Sequence, residues 1–148
     1  VLPYVSMHGS THAMVHHLVD ALAQRGVRTH LFDLAVTDLG KLAITLVDAA
    51  TLIVGTPTVH MDPHPAVFYA SHLANCLRPK LKHAAIVGSY GWNSKAIERI
   101  TSLIPNLKVD LLGTVLAKGY PDAAALASLD ELADTVAQRH AGLPAPLA

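Results

Sequence analysis

Residues 1–26, VLPYVSMHGSTHAMVHHLVDALAQRG, open with an apolar run, Val1–Ser6, pass through a short polar stretch, and continue with Met14, Leu18 and Leu22 recurring every four residues. This is the pattern of a buried strand, a loop and an amphipathic helix over Ser10–Arg25. Ser10 or Thr11 is placed to cap the helix, and Gly26 to end it. Pro3 objects, because it has no N–H for a ladder and is unwelcome in a central strand. The strand is retained at that cost.

The same rhythm runs outward along the chain. Val27–Leu34 reads as a second strand and Asp38–Asp48 as a helix with Leu39, Leu42 and Leu46 on one side. Thr51–Gly55 is a third strand, short and apolar enough to be buried on both faces. A proline-punctuated loop, Thr56–Pro65, leads to a helix over Ala66–Leu77. Then come a strand at Ala84–Gly88, a helix at Ser94–Leu103, a strand at Val109–Leu116 and a helix at Asp122–Arg139. The last residues, Leu143–Ala148, with Pro144 and Pro146, read as a frayed end. Five βα units without repeats or long linkers predict an α/β fold: a doubly wound parallel sheet with helices on both faces.

Composition narrows the class. A chain of 148 residues is one ordinary domain, and 51% hydrophobic content with 15% charged excludes disorder. Eleven Lys and Arg cancel eleven Asp and Glu, so no basic stripe exists for nucleic acid or an anionic membrane. The longest stretch free of these four residue types, Val1–Val19, holds four histidines and is too polar to span a bilayer. It lacks the basic start of a signal peptide. One cysteine, Cys76, excludes an internal disulfide and fits a reducing, cytoplasmic compartment; it is expected as a small core residue. Starting at Val1 within an apolar run, the chain reads as a domain excised from a longer protein.

In doubly wound sheets ligands sit beyond the carboxyl ends of the strands, and three such loops are unusual here. The first, Ser6-Met7-His8-Gly9-Ser10-Thr11, offers three hydroxyls and a glycine before a helix N-terminus. That is a site for a terminal phosphate, held by hydrogen bonds and the helix dipole, since the loop has no Lys or Arg. A P-loop, a dinucleotide G-x-G-x-x-G loop and a receiver domain's carboxylates are all missing. The second loop, Gly55–Pro65, is stiffened by Pro57, Pro63 and Pro65. Its Thr56 and Thr58 are placed to line the edge of a flat ring. The third, Gly88-Ser89-Tyr90-Gly91-Trp92-Asn93-Ser94-Lys95, holds the only Trp. Aromatic residues at a loop tip expose costly apolar surface unless something stacks on them. Together the loops point to a phosphorylated planar ligand such as FMN.

Ser6–Thr11, Gly55–Thr58, Leu77–Lys80 (Leu-Arg-Pro-Lys) and Gly88–Trp92 resemble the corresponding segments of the flavodoxin domain of A-type flavoproteins, the flavodiiron proteins. The Lys118-Gly119-Tyr120-Pro121 turn is also similar. The resemblance covers essentially the whole chain. It implies a flavodoxin-like five-stranded sheet of order 2-1-3-4-5 with FMN bound non-covalently. Ser6, Met7, His8, Gly9, Ser10 and Thr11 would hold the phosphate. Pro57, Thr58, Val59 and His60 would flank the isoalloxazine; Ser89, Tyr90, Gly91 and Trp92 would form the other wall, Trp92 stacking. It further implies a diiron β-lactamase-like domain in the same or a partner chain, reducing oxygen or nitric oxide. A rubredoxin-like or flavin reductase electron donor and a homodimeric full-length protein follow from the same likeness. The diiron ligand pattern H-x-E-x-D-H is absent from this chain, so its own part is electron relay, with no catalytic residue assigned. Lys95 departs from the small residues usual there and is read as a solvated helix residue.

Two other functions fit the fold: an FMN-dependent NAD(P)H:quinone reductase, and a flavodoxin-fold interaction module without cofactor. The cancelled charge argues against a freely diffusing carrier, which gains from electrostatic steering. His8, His12 and His16 stand four apart, His12 and His16 sharing a helix face, and His60-x-Asp62-x-His64 has chelating spacing. A closed metal site needs a third or fourth ligand, so these are read as solvated and no metal is assigned.

Overall fold

A computed structural model describes residues 1–143; the frayed end expected at 143–148 lies, past Leu143, outside the described residues. In chain order the elements are β1 (Leu2–Tyr4), α1 (Ser10–Gln24), β2 (Leu31–Asp33), α2 (Leu39–Val47), β3 (Thr51–Val59), β4 (Asp62–Pro63), α3 (Pro65–Leu77), β5 (His83–Tyr90), α4 (Ala96–Leu103), β6 (Asp110–Lys118) and α5 (Ala123–Ala141).

The parallel part of the sheet runs β2-β1-β3-β5-β6, and β4 hangs antiparallel on β3. The sheet therefore has six strands where five were expected, and counting β4 changes the order from 2-1-3-4-5 to 2-1-3-5-6. The extra strand arises because β3 does not stop at Gly55. It continues to Val59, turns through His60 and Met61, and pairs Val59 with Asp62 and Thr58 with Pro63. Pro63 is tolerated because β4 lies off the main sheet.

Alternation along the strands builds a core on each face. Ile53, Ala85 and Val87 point to the side where α1 brings Met14, Val15, Leu18 and Leu22 and α5 brings Leu129, Leu132 and Val136. Leu52, Val54 and Ile86 point to the other side, against Leu42 and Leu46 of α2, Val67, Ala70 and Ala74 of α3 and Ile100 of α4. Each fully buried leucine contributes about 1.5–3 kcal/mol of transfer free energy.

Pro3 sits within β1 opposite Phe32. Towards β3 the rungs are Ile53 N–H to the Val1 carbonyl (3.0 Å) and Val5 N–H to the Gly55 carbonyl (3.1 Å). The rung between them is the one Pro3 cannot make. β2 is shorter than expected because α1 ends in a Schellman motif: Gly26 (φ 75°) donates to the Ala23 carbonyl and Val27 to that of Leu22. Val27 is thereby spent on the helix. Cys76 is exposed, its Sγ 3.4 Å from His72 Nε2, and not a core residue; on α3 the buried positions are Val67, Ala70, Ser71, Ala74 and Asn75, and Cys76 falls off that stripe.

Candidate functional site

The first loop is organised around Ser6 and Gly9. Ser6 Oγ accepts hydrogen bonds from the N–H groups of Gly9 (3.2 Å) and His12 (3.2 Å). Gly9, at φ 87°, is the helix N-cap in place of Ser10 or Thr11, and its carbonyl accepts from Ala13 N–H at 2.9 Å. The left-handed conformation is one that only glycine adopts freely. With His12 and Ala13 satisfied, Ser10 and Thr11 present the first-turn N–H groups that have no intrahelical partner. Met7, His8 and Gly9 are exposed and Ser10 is half-buried.

Thr11 turns inward instead. It is buried, and its Oγ1 lies 3.0 Å from Ser89 Oγ, tying the first loop to the third. One hydroxyl hydrogen bridges the pair, leaving the other to donate.

The second loop is largely strand and hairpin. Thr56 is buried and its Oγ1 accepts from His64 N–H (3.0 Å) while donating to the Pro57 carbonyl (2.8 Å). Pro57 is buried, Thr58 and Val59 are half-buried and His60 is exposed. His60 (φ 48°) and Met61 (φ 71°) are consecutive left-handed residues forming the two-residue hairpin turn, a conformation that favours Asn-Gly and costs other residues.

The third loop locks against the second. Thr58 Oγ1 donates to Ser94 Oγ (2.8 Å), which also caps Ala96 N–H (3.1 Å), so α4 begins at Ala96 and not Ser94. Lys95 N–H donates to the Met61 carbonyl at 2.6 Å, and Arg99 pairs with Asp62 at 2.9 Å. Ser89 is buried and Tyr90 half-buried; Gly91 and Trp92 are exposed, Trp92 by 84%. Gly119 N–H donates to the Tyr90 carbonyl (2.8 Å), bringing Tyr120 to the same end of the sheet. Met7, Trp92 and Tyr120 are large exposed hydrophobic residues there.

Sequence reading passed over Ser94, Met61 and Gly119 as cross-loop contacts. Ser94 carried a signal, a hydroxyl at a helix start; Met61 and Gly119 act through backbone atoms and carried none. Behind the first loop, Tyr4 Oη lies 3.2 Å from His12 Nδ1, and burial, then the charge of Asp33, raises the Tyr4 pKa, so the phenol keeps its proton. Among the described residues no group of three His, Cys, Asp or Glu converges on a point, and no helix is long and apolar enough to cross a membrane. A cavity of about 940 Å³ lies at the opposite end of the sheet beside Val1, Arg28, Thr51 and His140. It is remote from all three loops, and the strand carboxyl ends, where such folds bind ligands, outweigh its size.

No family model matches the chain. It is 33% identical over 112 residues to the nitric oxide reductase of Moorella thermoacetica, covering 76% of this chain and 28% of that protein. It is 29% identical over 125 residues to the type A flavoprotein fprA of Rhodobacter capsulatus, covering 83% and 29%. Among solved structures it superposes with a TM-score of 0.87 on the rubredoxin oxygen:oxidoreductase of Desulfovibrio gigas, at 25% identity over 93% of this chain and 35% of that one. The chain thus spans about a third or less of the length of each.

Proposed function

The chain is a flavodoxin-like domain related to those of the A-type flavoproteins, and on that premise we propose that it binds FMN and relays electrons to a non-haem diiron site that reduces oxygen or nitric oxide. That site would sit on a β-lactamase-like domain of the same or a partner chain, supplied by a rubredoxin-like or flavin reductase donor. The observation that carries the reading is the donor set of the first loop. Residues 5–12 hold no carboxylate, and the free first-turn N–H groups of Ser10 and Thr11 with the Ser6 and Ser10 hydroxyls suit a phosphate monoester dianion.

Bound FMN supplies the redox chemistry, accepting and releasing electrons one or two at a time. The protein's part is binding, orientation and exclusion of water. Ser6, Met7, His8, Gly9, Ser10 and Thr11 hold the phosphate; Pro57, Thr58, Val59 and His60 flank one side of the ring, and Ser89, Tyr90, Gly91 and Trp92 the other. The Thr11–Ser89 and Thr58–Ser94 hydroxyl pairs keep these walls at a set separation before the ligand arrives. Stacking on Trp92 would cover apolar surface that otherwise faces water.

The test is an absorption spectrum of the purified chain, with the released flavin identified and FMN affinity measured for the parent and Thr11→Leu. One FMN per chain, lost in Thr11→Leu, is expected. A colourless chain that refuses added FMN, or unchanged affinity in the variant, would sink the phosphate-loop assignment. Turnover of NAD(P)H and a quinone by the isolated chain would indicate a reductase instead of a relay.

A further inference from the structure

On α1 two histidines stand at the i, i+4 spacing of a two-point metal ligand. His12 and His16 are one helical turn apart, both exposed, with ring centroids 3.9 Å apart and planes inclined by 36°. Tyr4, buried beneath them, lies 3.2 Å from His12 Nδ1 through its hydroxyl and packs edge-on to His16 with centroids 6.2 Å apart. His17, next in sequence, is turned away and held by Asp130 at 2.9 Å.

We propose that His12 and His16 form a bidentate clamp for a borderline divalent transition-metal ion such as Cu²⁺, Ni²⁺ or Zn²⁺. Two imidazole nitrogens each about 2.0–2.1 Å from one ion lie roughly 3.0–3.4 Å apart; the rings now stack with centroids 3.9 Å apart, and taking up an ion requires these two exposed side chains to swing out of that stack until both nitrogens face it. The phenol fixes which nitrogen binds. With His12 Nδ1 engaged by Tyr4 Oη, Nε2 is the nitrogen left to the metal; on metallation Nδ1 carries the proton and donates it to the phenol oxygen. A metal-bound histidine ordinarily has such a partner on its other nitrogen. Waters complete the shell, since no third side-chain ligand converges among the described residues.

The clamp has a consequence for its surroundings. The His12 N–H donates to Ser6 Oγ of the first loop, which has no Lys or Arg of its own. An ion held on the His12 side chain therefore brings positive charge to the one anion-binding loop that lacks it.

The experiment is calorimetric titration of the purified 148-residue chain with Zn²⁺ in a non-chelating buffer, repeated for His12→Gln, His16→Gln, Tyr4→Phe and His17→Gln. One Zn²⁺ per chain is expected, with affinity roughly 100-fold weaker in either clamp variant, because one of two linked ligands is lost. Tyr4→Phe should weaken it by roughly 10-fold, and His17→Gln should leave it unchanged. Cu²⁺ should bind more tightly than Ni²⁺, and Ni²⁺ more tightly than Co²⁺. His12 and His16 are exposed on α1, and Tyr4→Phe removes only the hydroxyl of a buried β1 residue; circular dichroism checks that all four variants fold. No saturable one-to-one binding, or binding that survives in His12→Gln or His16→Gln, overturns the proposal. Neither result depends on whether the chain binds FMN.

Discussion

Gly55→Ala should destabilise the protein by about 2–3 kcal/mol, against the usual sign of a glycine-to-alanine change in ordinary backbone. Gly55 pairs with Tyr4 where β3 meets β1. An added Cβ would lie 2.7 Å from Tyr4 Cβ and 2.8 Å from Val15 Cγ2. Carbon atoms in contact sit at about 3.5–4.0 Å, so something must move by roughly 1 Å. The obstruction does not swing aside: Tyr4 Cβ is tied to a β1 backbone whose Cα is 3.6 Å from the new atom. Val15 is fully buried. Such overpacking typically costs about 1–3 kcal/mol. Parting β1 from β3 also loosens Val5 N–H to the Gly55 carbonyl, a rung worth about 0.5–1.5 kcal/mol, on a seam that Pro3 has already thinned. The opposing gain, a less flexible unfolded chain, is about 0.4–1 kcal/mol and loses. In a domain of this size the net corresponds to a melting point lower by roughly 6–12 °C. Thermal and urea denaturation measure it, with Gly40→Ala as control. There the new Cβ meets only the Asp38 side chain, Oδ1 at 3.2 Å and Cγ at 3.9 Å, and the helix propensity of alanine should keep the variant within about 0.5 kcal/mol of the parent, on the stable side. A Gly55→Ala protein as stable as the parent would refute the argument.

Three further outcomes follow from particular contacts. Asp122 caps α5 by accepting from Ala125 N–H at 2.8 Å, so Asp122→Ala should cost about 1 kcal/mol in urea denaturation. Thr11→Val removes one hydroxyl of a buried pair and strands Ser89 Oγ, costing about 1–3 kcal/mol; adding Ser89→Ala should recover part of that, and strictly additive effects would show that the pair is uncoupled. The His140 pKa is lowered, by burial first and then by the nearby His83, so the unfolded chain binds the proton more readily. Its contribution is therefore complete above about pH 6.5 and lost as pH falls towards the folded-state value. His140→Gln should flatten the drop in melting temperature between neutral and mildly acid pH, and an identical slope would count against this origin.

The elements most legible in the sequence were those whose burial is one-dimensional. Met14, Leu18 and Leu22 define α1 by spacing alone, and Leu129, Leu132, Ala133 and Val136 do the same for α5. What could not be read was set by contacts distant in sequence. β4 exists only because Thr58 and Val59 find Pro63 and Asp62 across a turn made of two left-handed residues, neither of them glycine. Propensity speaks against a hairpin at His60-Met61; the Lys95 N–H on the Met61 carbonyl and Arg99 on Asp62 hold it there. Likewise Thr11 was legible as a polar residue at a helix start, but not as the partner of Ser89, 78 residues away. Cys76 was misplaced for the opposite reason: the general tendency of cysteine towards burial gave way to its position on the outer side of α3.

These long-range contacts give the site its stiffness. α1 leaves β1 towards one face of the sheet and α3 leaves β3 towards the other, and that divergence is what opens a crevice between neighbouring loops in a doubly wound fold. A crevice defined only by diverging helices would be free to widen. Here Thr11–Ser89 crosses from the first loop to the third, Thr58–Ser94 from the second to the third, and Gly119 to Tyr90 from the third to the turn beyond β6. Each tie is made within the protein alone, so a ligand entering the crevice need not spend its own contacts on ordering the walls, which is where loop-built sites ordinarily lose affinity. Trp92, 84% exposed, stands outside this bracing. Truncating it should therefore weaken ligand binding by the lost stacking while leaving the melting temperature of the ligand-free chain nearly unchanged, whereas breaking Thr58–Ser94 should lower both.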